Sequence, residues 1–265
     1  MVYFLGMKQT PVPLLVGNWK MNPSSLAEAK KLFVSIRQKL RSVKDVSVVI
    51  APPSVYLSDL ARLSPSGRIE IGAQRIWPES TGAQTGEISA PMVRSAGATY
   101  IIIGHSERRA QGIDNAAVQA RIQAALQHKL TPILCVGEEA RDESGEFFTH
   151  LEQQLTTALA DLKKTQVARV VIAYEPVWAI GSGTTPTAAD IYEIRLFIEK
   201  CLTKLFDRAT ARKVTVLYGG SVKPDNAAVL YQEGGVQGFL VGGASLDAKS
   251  FVAICQSVQA ATSDA

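Results

Sequence analysis

Cysteine and histidine are both scarce. Cys135, Cys201 and Cys255 are odd in number and far apart, so they form neither a disulfide framework nor a zinc-type pair. Reduced, buried thiols are expected, as in a cytoplasmic protein. His105, His128 and His150 have no ligand spacing, and no metal site is expected. No apolar run approaches the roughly 20 residues that cross a bilayer, so no membrane association is expected. No block of like charge occurs: 28 basic and 24 acidic residues leave a net charge of +4. That is too mild for a nucleic-acid partner, and no base-stacking motif accompanies it. A dinucleotide fingerprint is missing too. The first apolar run ends in Gly17-Asn18-Trp19-Lys20, and Gly181-Ser182-Gly183 continues as Thr184-Thr185-Pro186 without a third glycine. No P-loop spacing is present, and no cofactor is expected.

What remains is an ordinary soluble composition, 46% apolar and 20% charged over 265 residues, arranged with a regular rhythm. Short apolar runs recur at 14–16, 46–51, 69–73, 100–103, 132–136, 170–174, 214–218 and 236–241. They are nearly continuous in hydrophobicity, as strands covered on both faces should be. Amphipathic stretches lie between them. One is Leu26, Ala29, Phe33, Ile36 and Leu40, opened by a capping box at Ser25 and Glu28. Others are Val118, Ile122, Ala125 and Leu126 after a cap at Asp114, then Phe148, Leu151, Leu155, Ala158 and Leu162. A fourth is Ile191, Ile194, Ile198 and Leu205, with Thr187 and Asp190 as caps. Eight strand–helix units predict a (β/α)8 barrel, with a doubly wound sheet as the rival. Residues 11–265 read as one barrel domain. Residues 1–10 read as a loose N-terminal extension: the Val2–Leu5 patch is too short, and lacks the basic start, for a signal peptide. The stretch from Gln74 to Ser89 is long and aperiodic, the kind of loop that serves a function such as reaching into another subunit.

In a parallel barrel the strand C-termini share one face, where chemistry takes place. That face would receive Asn18 and Lys20 from strand one, His105, Ser106 and Glu107 from strand four, and Glu175 from strand six. Strands seven and eight would add Gly219-Gly220-Ser221 and Gly242-Gly243. Each has a plain reading: a solvated lysine, a structural histidine, a salt-bridged glutamate, two glycine turns. Their convergence favours another. Glu175 follows a buried run and precedes Pro176, Trp178, Gly181 and Gly183, so it joins a costly buried carboxylate to a glycine-rich flap. His105 precedes a helix start, which disfavours an imidazolium. Paired glycines let backbone N–H groups surround a phosphate. These parts suit a small phosphorylated carbonyl compound: Glu175 removes a carbon-bound proton, and Asn18, Lys20 and His105 stabilise the enediolate. Return of the proton to the neighbouring carbon is an aldose–ketose isomerisation.

Four blocks closely resemble the triosephosphate isomerase family, in its order: residues 17–22 (Gly-Asn-Trp-Lys-Met-Asn), 103–109, 174–181 and 218–222. The resemblance runs from about Pro13 to Val258. It implies interconversion of dihydroxyacetone phosphate and D-glyceraldehyde 3-phosphate in glycolysis and gluconeogenesis. A glutamate base beside a neutral histidine is an established pattern of that family. The resemblance assigns these roles to Glu175 and His105, oxyanion binding to Lys20 and Asn18, and phosphate contacts to Gly181, Ser221, Gly242 and Gly243. Glu107 supports Lys20, and Ser106 neighbours the resting base. It further implies a homodimer through the 74–89 loop, with Thr85 reaching the partner's site. Two departures stand out. Pro186 has no N–H, so the donor that latches the lid to the tyrosine matching Tyr218 is gone, and Ser221 with Gly183 is expected to take over. Lys129 replaces a helix-ending glycine, so either that turn differs or lysine is strained there. Other classes weighed were a phosphate-binding aldolase, which would want a lysine inside a middle or late strand, and a barrel kept as a surface-binding protein.

Overall fold

The computed structural model describes residues 12–65, 67–142, 144–179 and 185–263. The extension proposed for residues 1–10 lies outside them. The strands are β1 (Leu14–Asn18), β2 (Ser47–Ala51), β3 (Glu70–Ala73), β4 (Tyr100–Ile103), β5 (Thr131–Val136), β6 (Val171–Tyr174), β7 (Thr215–Tyr218) and β8 (Gly238–Val241). All pair in parallel, each with the next, and β8 returns to β1 through Leu14 and Gly238 to close the barrel. The helices among the described residues are α1 (Leu26–Lys39), α2 (Leu57–Arg62), α3 (Ala90–Ser95), α4 (Ser106–Arg109), α5 (Asn115–Gln127), α6 (Glu146–Leu159), α7 (Lys164–Val167), α8 (Ala188–Leu205), α9 (Arg208–Ala211), α10 (Ala227–Gln232) and α11 (Ala248–Ser263). The (β/α)8 barrel is therefore the fold, and every expected strand forms within two residues of its apolar run.

Two apolar clusters explain why the runs show no alternation. Leu14, Val16, Val49, Ile102, Val171, Ala173, Leu217 and Leu240 belong to a cluster inside the barrel. Their neighbours Leu15, Ile50, Ile101, Ile103, Ile172, Tyr174, Val216, Tyr218 and Phe239 pack outward under the helices. Successive strand residues face opposite ways, so a strand covered on both faces needs apolar residues throughout. The same parity positions the chemistry. Asn18 is the next inward position after Leu14 and Val16, and Glu175 is the next after Val171 and Ala173.

Helix starts follow the expected chemistry with one exception. Asp114 Oδ1 accepts the Ala117 N–H at 2.8 Å, and Thr187 with Asp190 forms a full capping box. At α1 only half of the expected box exists. Ser25 Oγ accepts the Glu28 N–H at 3.3 Å, but the Glu28 carboxylate takes the Ser24 hydroxyl at 2.9 Å instead of reaching back to Ser25. Leu205, expected on the buried stripe of α8, is only half-buried; Cys201 and Leu202 take the core positions near that end.

At the end of α5 the chain accepts strain. Leu130 N–H bonds Ala125 O at 2.9 Å and Lys129 N–H bonds Leu126 O at 3.2 Å, the paired bonds of a Schellman cap. The residue at its left-handed position is Lys129, with φ of +59°. The turn keeps the geometry that suits glycine, and lysine bears the steric cost. We expect Lys129→Gly to stabilise the protein by about 0.5–1 kcal/mol, since relief of strain of about 1–2 kcal/mol exceeds the added unfolded-state entropy. Reversible chemical denaturation measures it; a loss of stability would show that Lys129 is not strained.

Candidate active site

The strand C-termini of the barrel enclose a cavity of about 340 Å³. Asn18, Lys20, His105, Glu175, Ser221, Gly242 and Gly243 all line it, from five different strand ends. Gly181 and Gly183 lie outside the described residues. Thr85 is exposed on the 74–89 loop and is not part of this wall.

Glu175 is 2% exposed. Its own N–H bonds Val136 O at 2.8 Å. Its carboxylate receives the Ser106 N–H on Oε2 at 2.9 Å and faces His105 Nε2 with Oε1 at 3.0 Å. Two donors thus offset much of the cost of burying the charge. Ser106 contributes its main chain rather than its hydroxyl. Next to Glu175 lies the buried thiol of Cys135. Burial, then the Glu175 charge, push its pKa far up and keep it protonated.

His105 caps α4, its Nδ1 accepting the Glu107 N–H at 3.2 Å. Burial lowers the imidazole pKa, yet the hydrogen bond and charge of Glu175, joined by Glu107, outweigh it and the net direction is up. Proton placement argues the other way. A ring nitrogen that accepts an N–H has a free lone pair, so the ring drawn by this geometry is neutral and carries its proton on Nε2. The ring is neutral while the Glu107 N–H points at Nδ1, because an imidazolium would set two N–H groups against each other. The sequence pattern attributed neutrality to a helix terminus. Since α4 has only four residues, the specific Glu107 N–H carries that role instead. Gly104, at φ of +74°, turns the chain just before His105, and Arg109 clamps the turn by donating to Gly104 O at 2.8 Å.

Lys20 reaches the cavity on a strained backbone, with φ of +52°. Its N–H bonds Asn18 Oδ1 at 3.1 Å, and Gln74 Nε2 donates to Lys20 O at 2.9 Å and to Ala51 O at 2.8 Å. Left-handed geometry costs a lysine about 1–2 kcal/mol, and such strain persists where surrounding bonds over-determine it. Glu107 Oε1 holds the ammonium at 2.5 Å. Both side chains are partly exposed, so the pair orients Lys20 more than it stabilises the fold.

Several supporting residues were not singled out by the sequence pattern. Gln74, counted there as loop, holds the Lys20 turn. Glu138, 1% exposed, follows β5 and accepts from Tyr174 Oη at 2.7 Å, Trp178 Nε1 at 2.8 Å and Arg141 Nε at 3.2 Å. The rule used for the other strand ends, polar residues just past the C-terminus, would have found it on strand five. Arg141 continues to Asp190 Oδ1 at 3.0 Å. Tyr218, by contrast, was expected at the site; it is fully buried and its pKa is pushed up to about 12 by burial. Its hydroxyl makes no hydrogen bond of normal geometry among the described residues.

Glycine creates room for the carboxylate. A Cβ on Gly219 would come within 3.0 Å of Glu175 Cγ. Gly219→Ala should therefore displace the Glu175 side chain while leaving the barrel folded. We expect turnover to fall about tenfold with a cooperative thermal transition retained, a misplacement effect rather than an unfolding one. Unchanged turnover would show that Glu175 tolerates the shift.

Comparison with known proteins agrees along the whole barrel. The triosephosphate isomerase family model matches residues 13–258. A triosephosphate isomerase from Roseiflexus sp. (strain RS-1) is 45% identical over 244 residues, covering 91% of this chain and 96% of the relative. One from Hydrogenovibrio crunogenus is 44% identical over 245 residues, with the same two shares covered. A crystal structure of triosephosphate isomerase from Bartonella henselae superposes with a TM-score of 0.81 at 36% identity, covering 94% of this chain and 99% of that one. The chain belongs to the triosephosphate isomerase family.

Proposed function

We propose that this chain interconverts dihydroxyacetone phosphate and D-glyceraldehyde 3-phosphate through an enediolate. The observation that carries the reading is the Glu175 carboxylate lying 3.0 Å from His105 Nε2, in one cavity with Asn18 and Lys20. The substrate phosphate lies against the backbone at Ser221, Gly242 and Gly243, where a glycine edge admits an anion closely. Its carbonyl faces His105, Asn18 and Lys20. Glu175 leaves the Ser106 N–H and takes a proton from the carbon beside the carbonyl. The C–H electron pair becomes the enediolate double bond, and the carbonyl pair moves onto oxygen. The Lys20 ammonium, the Asn18 amide and the His105 Nε2–H meet that charge, and a neutral ring can also pass a proton between the two oxygens. Glu175 then returns its proton to the adjacent carbon. Glu107 holds Lys20 toward this oxygen.

The family relationship places the reaction in glycolysis and gluconeogenesis, and the buried free thiols suit a cytoplasmic setting. The chain acts as a homodimer. Residues 81–86 form an exposed tip, Met21, just beyond β1 and Lys20, is 92% exposed, and Trp77 Nε1 is buried without a partner among the described residues. In the dimer Thr85 extends toward the partner's cavity.

A coupled assay in both directions tests the chemistry. Glu175→Ala should lose at least about a thousandfold in kcat, the upper range for a positioned general base; full activity would remove Glu175 from the mechanism. A second expectation follows from Pro186, which has no N–H to offer the Tyr218 hydroxyl. Tyr218→Phe should slow turnover less than Ser221→Ala does, and the reverse order in the same assay would mean that Tyr218 has a different closing partner.

A further inference from the structure

We propose that Gln154, on α6 outside the barrel, is a positioning residue for the base; the inference rests on the catalytic reading of Glu175. Gln154 is 2% exposed on a helix whose other buried residues are apolar. Its amide pairs with both polar groups of one residue. Gly137 N–H donates to Gln154 Oε1 at 2.9 Å, and Gln154 Nε2 donates to Gly137 O at 3.0 Å. The orientation of the amide is fixed, because only its oxygen can meet the N–H and only its NH2 can meet the carbonyl. The second amide hydrogen has a partner in His150 Nε2 at 2.8 Å, one turn earlier on the same helix.

Gly137 is the first residue beyond β5, where ladder pairing has ended. The glutamine side chain acts there as a substitute strand partner. What it holds lies directly against the base. A Cβ on Gly137 would fall 1.7 Å from Glu175 O and 2.7 Å from Glu175 C. No side chain can separate the two backbones, so a shift of the Gly137 peptide is transmitted to Glu175. The preceding residue supplies Val136 O to the Glu175 N–H. The following residue, Glu138, holds Tyr174 and Trp178 on either side of it. Gln154 therefore anchors, from the helix layer, the three-residue segment against which the base is set. Proton transfer is sensitive to sub-ångström changes in donor–acceptor distance, so loss of the anchor should appear in the chemical step before it appears in binding.

The test is steady-state kinetics of Gln154→Met, which keeps length and volume but removes both bonds to Gly137. The expected result is kcat lowered about tenfold with KM within about twofold, the pattern of a transition-state defect. It should be joined by a larger primary isotope effect when the transferred hydrogen of the substrate is deuterium. Unchanged kcat and isotope effect, with only the melting temperature lowered, would overturn the proposal and leave Gln154 a structural residue. Should Gln154→Met fail to fold, Gln154→Glu decides when assayed above the pH at which its carboxyl ionises: as a carboxylate it keeps the acceptor for Gly137 N–H and loses the donor to Gly137 O, and a kcat equal to wild type there would overturn the claim. Glu175→Gln measured alongside separates the two levels. If that variant is fully active the base assignment fails, whereas an inactive Glu175→Gln with a normal Gln154→Met rejects only the positioning role.

Discussion

A buried carboxylate held by two hydrogen-bond donors is the constraint around which this barrel is arranged. Glu175 sits inside an apolar fold at a position where an unpaired charge would cost several kcal/mol. It is kept there by the Ser106 N–H and the His105 ring, both delivered from β4, across the intervening β5. That geometry needs β4, β5 and β6 in fixed register, which the ladder pairs Ile102 with Ile133 and Ile133 with Val171 provide. It also needs space, and Gly137 and Gly219 supply it on two sides of the residue.

Rigid parity and local strain divide the work of aiming side chains. Asn18 and Glu175 need no special backbone, since each is simply the next inward residue of a strand. Lys20 and His105 do. Lys20 has a left-handed backbone secured by Asn18 and Gln74, and His105 follows the left-handed turn at Gly104 secured by Arg109. The surrounding shell is polar and buried: Glu138 gathers a tyrosine, a tryptophan and an arginine, and Gln154 pins Gly137. The three donors to Glu138 all meet Oε1, while Oε2 has no partner among the described residues, so the network fixes the carboxylate from one side only.

The fold was legible because its signal is periodic. Eight apolar runs at regular spacing, separated by stripes such as Val118–Leu126, suit a parallel barrel, the missing dinucleotide fingerprint weighs against the doubly wound rival, and strand termini then nominate Asn18, Lys20, His105 and Glu175. Tertiary contacts without a local pattern were not legible. Nothing around Gln154 distinguishes a buried amide from a solvated one on an amphipathic helix. Gln74 reads as loop, and Lys20 gives no hint of positive φ. Lys129 is the opposite case: of the two outcomes its sequence position leaves open, a different turn or a strained lysine, the structure shows the strained one. The neutral state of His105 was anticipated for a helix-dipole reason, yet it rests on one backbone N–H from Glu107.

The most direct measurement of the central arrangement is nitrogen NMR of the His105 imidazole in the ligand-free protein. The account predicts a neutral ring at neutral pH, with Nε2 protonated toward Glu175 and Nδ1 bare toward Glu107. An imidazolium with both nitrogens protonated near neutral pH would contradict it, because the Glu107 N–H would then lose its acceptor and His105 would enter the reaction as a cation.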